Sequence, residues 1–382
     1  MPLQSHMQLI STDDHLIEHP ALWTDRLPAR YREAGPQIIE KQMGDSDRPA
    51  QVWRYEDRIY PYIGLNAVAG KKPEEYGLEP TRYDDMLPGC YDPKARIADM
   101  DIDGVHATLS FPSFPKFAGT AFLDAVDMEL ALLSVQAWND YVLDEWCPTA
   151  PGRLIPLTIL PLWSVQESVK EIHRTAAKGS RAISFPENPV PLGLPSFHTD
   201  HWDSVFSAAE ETQQPLCVHF GTSGQAPTTA PEAPFAVMIA LFGCNSMYAT
   251  ADLLFSPVFH RHPNLKFALS EGGIGWVPYM LERLDLTWEK HRYYQNINQT
   301  VRPSDLFRKH LFGCFIDDEF GLKSRHDVGI DNITWEGDYP HSDSNWPNSR
   351  KRLHDVMLDI PDDEVHKMVE LNARQLFNFP RA

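Results

Sequence analysis

Pro215-Leu216-Cys217-Val218-His219-Phe220 is a short apolar run with a histidine near its end. It shows no alternation of polar and apolar residues, which suits a parallel strand covered on both faces. Similar runs recur on either side of it. Toward the N-terminus lie Arg181-Ala182-Ile183-Ser184-Phe185, Leu154-Ile155-Pro156-Leu157-Thr158-Ile159-Leu160, Val105-His106-Ala107-Thr108-Leu109-Ser110-Phe111 and Gln8-Leu9-Ile10-Ser11-Thr12. Toward the C-terminus follow Leu265-Lys266-Phe267-Ala268-Leu269-Ser270, Leu311-Phe312-Gly313-Cys314-Phe315-Ile316 and Ile333-Thr334-Trp335-Glu336-Gly337. Helical patterns separate the runs. Leu130, Leu133, Ala137 and Tyr141 recur at spacings of three and four, and residues 202–211, 279–291 and 363–377 behave alike. Eight strands alternating with helices predict an α/β fold, a closed (β/α)₈ TIM barrel.

The chain reads as a single domain over residues 1–382, interrupted by two insertions. Residues 19–98 follow the first strand and are rich in Pro, Asp, Arg and Tyr. A structureless loop of that length is improbable in a compact domain, so a cap or lid is expected, with a small hairpin around residues 52–63. Residues 221–245 form the second insertion. Both belong on the C-terminal face, where barrel enzymes carry their sites. Contacts in a homo- or hetero-oligomer are the other role open to them.

Composition narrows the partners. The net charge of −19 opposes nucleic acid and anionic membrane surfaces and leaves a small-molecule substrate as the expected partner. The five cysteines are scattered and form no C-x-x-C, so neither a disulfide framework nor a zinc ribbon is expected. No run of about 18 apolar residues is evident, and no helix is expected to cross a membrane. The N-terminal stretch lacks a basic and apolar leader, so a cytoplasmic location is expected.

Chemistry collects where strands end. Asp13 and His15 are two apart, which on an extended chain turns both to one side. His219 closes the fifth run, and Asp338 follows the eighth in Gly337-Asp338-Tyr339-Pro340-His341. Each is weak alone, since an Asp after a strand is often only a helix N-cap. Together they converge, because strands one and eight of such a barrel are neighbours and strand five lies across the lumen.

These residues give the chain a resemblance to the amidohydrolase-related family, whose members include aminocarboxymuconate-semialdehyde decarboxylase and the resorcylate and hydroxybenzoate decarboxylases. The resemblance runs from Ile10 to Glu370-Leu371-Asn372-Ala373-Arg374-Gln375-Leu376-Phe377. It includes Asp13-Asp14-His15-Leu16-Ile17-Glu18 and Leu265-Lys266-Phe267-Ala268-Leu269-Ser270-Glu271-Gly272-Gly273. It implies that Asp13, His15, His219 and Asp338 ligate a divalent metal. Zinc comes first, manganese or iron are the alternatives, and a second ion is open.

Glu271 departs from the pattern, since the decarboxylases have His-Gly-Gly where this chain has Glu271-Gly272-Gly273. Glu271 is therefore a candidate ligand and a candidate base. Asp338 and His341 are the other candidate catalytic residues. Asp14, Glu18, Glu187 and Asp343 add enough carboxylates for two ions, and His198 or His201 could touch substrate. The expected activity is a metal-dependent hydrolase or a non-oxidative decarboxylase, a carbon–carbon lyase, acting on a small carboxylic or aromatic compound. The alternative is a dinuclear iron or manganese monooxygenase that activates oxygen, or a partner subunit of one.

Overall fold

The structure is a computed structural model and describes residues 3–43, 48–77 and 81–381. Nine parallel strand segments occupy the eight expected barrel positions: β1 (Leu9–His15), β5 (Val105–Phe111), β6 (Leu154–Ile155), β7 (Leu157–Thr158), β8 (Ala182–Pro186), β9 (Leu216–His219), β10 (Phe267–Ser270), β11 (Leu311–Phe315) and β12 (Ile333–Trp335). They pair in the orders β1-β5-β6 and β7-β8-β9-β10-β11-β12. Pro156 divides β6 from β7, since it has no N–H to give to a ladder. At the other seam Asp338 N donates to Asp13 O (2.9 Å) and His15 N donates to Tyr339 O (2.7 Å). These bonds tie the segment just after the last strand to the first strand, which brings the two ends of the parallel array together.

Alternate strand residues fall into two separate buried clusters. Ile10, Ala107, Leu109, Ile155, Leu157, Ala182, Cys217, Ala268 and Phe312 form the smaller, inner one, together with Ala373, Leu376 and Phe377 from the C-terminal segment. Their strand neighbours, among them Leu216, Val218, Phe267, Leu269 and Ile333, pack outward against the helices. Parity places the site. Cys217 is in the inner cluster, so His219, two residues on, also faces the lumen.

Within the first insertion lies an antiparallel sheet of β2 (Gln37–Lys41), β3 (Ala50–Tyr55) and β4 (Arg58–Tyr60). The expected hairpin is its second half. Trp23 and Trp53 meet edge to face at 5.1 Å, and Trp23 Nε1 donates to Ser134 O at 3.0 Å, which fastens the insertion to helix Met128–Tyr141. Val68 N and Ala69 N both donate to Pro340 O, two residues beyond Asp338. Helix Pro93–Asp103, capped by Asp92, leads directly into β5.

One stretch bears on the expectation that no helix crosses a membrane. Phe235–Phe255 is long and apolar enough to cross a membrane by length and composition, with Asp252 as its only charged residue. It is one third buried and runs as two helices, Phe235–Ala240 and Phe242–Phe255. Gly243, Cys244, Asn245, Ser246 and Thr250 interrupt the apolar run in the sequence, while the helical backbone runs on through them.

Candidate metal centre

Four strand ends deliver the site. Asp13 and His15 close β1, His219 closes β9, Glu271 follows β10 and Asp338 lies three residues beyond β12. Glu271 (φ 52°) and Asp338 (φ 51°) leave their strands in the left-handed region, which non-glycine residues seldom adopt. Such a backbone persists only where its surroundings fix it. Here Glu271 N donates to Glu336 Oε2 (3.0 Å), Asp338 N donates to Asp13 O, and His341 N donates to Asp338 O (2.8 Å).

The side chains converge. His15 Nε2 lies 3.4 Å from both Asp13 Oδ1 and Asp338 Oδ1. His219 Nε2 lies 3.5 Å from Asp13 Oδ2 and 2.9 Å from Glu271 Oε2. His341 Nδ1 lies 2.9 Å from Asp338 Oδ1. The ligand atoms form two overlapping sets, Asp13-His15-His219 and His15-Glu271-Asp338-His341, each within 4.8 Å of one another. His219 Nδ1 is 2.7 Å from Phe220 O, so Nδ1 carries the proton and Nε2 is left as a lone-pair donor.

Burial sets the protonation of the metal-free cluster. It drives His15 down to about 3 and His219 well below the ordinary value, so both are neutral, the form a metal requires. Burial, then the charges of neighbouring carboxylates, pushes Asp13 and Glu271 well up. Burial also pushes on Asp338, but His341 and His15 outweigh it and hold Asp338 below the usual carboxylate range.

Nine buried polar atoms of this cluster have no hydrogen-bond partner among the described residues. They are both oxygens of Asp13 and of Asp338, both nitrogens of His15, His219 Nε2, Glu271 Oε2 and His341 Nε2. Buried polar atoms are ordinarily paired, because an unpaired one costs about 1–3 kcal/mol. A set of imidazole and carboxylate donors left unpaired together fits a divalent cation.

All five expected ligands and His341 thus come together. Other candidates lie apart. Asp14 is occupied by Ser11 Oγ, Thr108 Oγ1 and Tyr339 N. Glu18 accepts from Ser113 N, Phe114 N and Trp138 Nε1. Glu187 accepts from Thr222 Oγ1, Ser223 Oγ and Asn245 Nδ2. These three carboxylates therefore brace loops. Asp343 is outside both ligand sets, though close enough to act on Glu271. His198 pairs with Asp252 at 2.6 Å beside a cleft of about 1020 Å³, and His201 is exposed and packs on Trp202.

Sequence reasoning overlooked two residues. Glu336 is wholly buried beneath Glu271 and accepts from Cys314 Sγ as well as Glu271 N. An acid at the end of a largely apolar run was its available signal. Phe117 sits with its ring centroid 4.2 Å from that of His219 and 4.7 Å from that of His15, and nothing local in the sequence marks it.

Comparisons with known proteins bear on the family and the fold. Residues 19–379 match the amidohydrolase family. Over 258 residues the chain is 24% identical to 2-amino-3-carboxymuconate-6-semialdehyde decarboxylase of Dictyostelium discoideum, covering 66% of this chain and 67% of that one. An amidohydrolase structure from Mycobacterium avium subsp. paratuberculosis K-10 superposes with a TM-score of 0.75 at 21% identity, covering 98% and 100% of the two chains. A 5-carboxyvanillate decarboxylase of Novosphingobium aromaticivorans, complexed with manganese and 4-hydroxy-3-methoxy-5-nitrobenzoic acid, does so with a TM-score of 0.64 at 18% identity, covering 98% and 96%. The oxygen-activating alternative draws no support from these relatives. With a barrel, a ligand set at its strand ends and a family match across nearly its whole length, the chain belongs to the amidohydrolase family, and it is an enzyme of that family.

Proposed function

We propose that this enzyme is a metal-dependent decarboxylase that releases carbon dioxide from a small planar carboxylic acid without oxidising it. The observation that carries the reading is the set of unpartnered ligand atoms on four strand ends. Asp13, His15, His219 and Asp338 would hold the ion. The manganese bound to the Novosphingobium decarboxylase moves manganese ahead of zinc and iron. A divalent cation in this position supplies Lewis-acid polarisation of a substrate oxygen.

The protein's part is proton handling. Loss of carbon dioxide leaves an electron pair on carbon that one proton must replace. Two carboxyl groups with opposed environments divide acid from base. Glu271, kept protonated by burial and by Asp338, Asp13 and Glu336, is the donor in reach. Asp338, kept ionised beside His341, remains an acceptor. The insertion at residues 19–98, anchored on Pro340 by Val68 and Ala69, is the element we assign to substrate selection.

A second reading has its own support. Glu271 stands where the decarboxylases carry His, and nine unpartnered atoms exceed the four protein ligands a single ion usually takes. Both favour a second ion on Glu271 and His341, and hydrolysis instead of decarboxylation. The test is a panel of carboxyl-labelled aromatic and unsaturated acids given to manganese-loaded protein. Labelled carbon dioxide supports decarboxylation. Two ions per chain with ester or amide cleavage and no carbon dioxide would replace it.

A further inference from the structure

His15 and His219 are both 0% exposed, while Glu271 and His341 keep a small exposed fraction. Phe117 is only partly buried, and its ring lies beside the site in tilted contact with His15 and His219. Its centroid lies 4.2 Å from that of His219, 4.7 Å from that of His15 and 6.5 Å from that of His341. Phe117 is thus a partly exposed ring beside three imidazoles of the cluster.

The backbone beneath this ring is tied down. Ser184 Oγ donates to Phe117 O at 2.5 Å. Lys116 N donates to Ser113 O and Gly119 N to Lys116 O, closing two successive turns. Ser113 Oγ donates to Leu16 O at 2.8 Å, and the amides of Ser113 and Phe114 are held by the buried Glu18 carboxylate. Gly119, at φ 74°, packs on Ile159, where a side chain would be strained. With the loop fixed at so many points, the freedom that remains is rotation of the Phe117 side chain. Such rotation is fast for a partly exposed residue.

We infer that Phe117 is a specificity-determining residue: its ring covers the centre at rest and, rotated aside, forms one wall of the slot that receives a planar, aromatic-faced acid. The inference rests on the reading of the cluster as a metal centre and names the substrate class for it. A flat wall favours a flat partner, since offset aromatic pairs gain beyond simple area burial. It also limits the rate at which anything reaches the ion.

The test uses manganese-loaded full-length protein and two probes. Dipicolinate, a planar chelator, reports access. Phe117→Ala is expected to lose its manganese to dipicolinate about tenfold faster than wild type, equivalent to about 1.4 kcal/mol of barrier. The equilibrium affinity for manganese should be unchanged. 2-Nitroresorcinol, a planar nitroaromatic, reports the wall. Phe117→Leu, which keeps volume and loses the flat face, should bind it several-fold more weakly than wild type, with acetate affinity unaltered. Equal stripping rates in wild type and Phe117→Ala would overturn the inference, as would a parallel fall in manganese affinity, which marks Phe117 as mere support. Wild-type protein that takes up no manganese would instead sink the metal-centre reading beneath it.

Discussion

Glu271 Oε2 lies 2.9 Å from His219 Nε2, the nitrogen left free when Nδ1 turns to Phe220 O. The contact places a carboxyl group from β10 against a ligand from β9, where register pairs Ser270 with His219. A neutral imidazole at position 271 would reach much the same space with a nitrogen instead of a carboxyl oxygen.

Glu271→His therefore restores the His-Gly-Gly pattern of the decarboxylases. Carbon dioxide release should persist or rise, and any hydrolytic activity should fall. Glu271→Gln should retain the first ion yet lose about 10²–10⁴ in kcat, the usual contribution of a positioned proton carrier. Kinetics of both variants on one labelled acid check this.

The buried carboxylates make stability pH-dependent in the metal-free protein. Burial raises Glu18 to about 7 and Glu336 to about 8, from an ordinary value of 4.5. The folded chain then holds protons that the unfolded chain has released, so unfolding free energy falls as pH rises. The stabilisation is complete below pH 4.5 and is lost through about pH 7–8. His15, lowered from 6.5 to about 3, acts in the opposite sense and only below 6.5. The unfolding free energy from urea titrations above that value should drop with rising pH, by up to about 1.4 kcal/mol per unit for each titrating group. Glu18→Gln should flatten the slope.

Arg96 is wholly buried and knits the β1 end together. It donates from Nε to Gly89 O (2.7 Å) and from Nη2 to His15 O (2.5 Å), and its guanidinium lies over the Tyr339 ring at 4.4 Å. Arg96→Ala leaves Asp14, 3.9 Å away, as an uncompensated acid. Breaking such a buried arrangement costs about 3–5 kcal/mol. Calorimetry should show a large drop in melting temperature, and manganese affinity should fall with it because the His15 carbonyl loses its anchor.

How far these features were legible depended on range. The barrel strands could be read locally, because β8, β9 and β10 are buried on both faces and composed accordingly. Asp13, His15 and His219 could be read from strand-end position. Asp14, Glu18 and Glu187 were candidates for a second ion, and only the fold reveals that amides and hydroxyls from distant segments already occupy them. The apolar length of Phe235–Phe255 was missed because its small polar residues disguised it. Phe117 could not be read at all, since its role comes from a loop that sets it against β1 and β9.

His15 belongs to both ligand sets and is the residue they share. The decisive measurement is elemental analysis of wild type and His15→Ala after loading with manganese and removal of free ion. The account predicts at least one tightly held ion per wild-type chain and none in His15→Ala. A wild-type chain without bound metal, or a His15→Ala chain that retains the wild-type content, would contradict it.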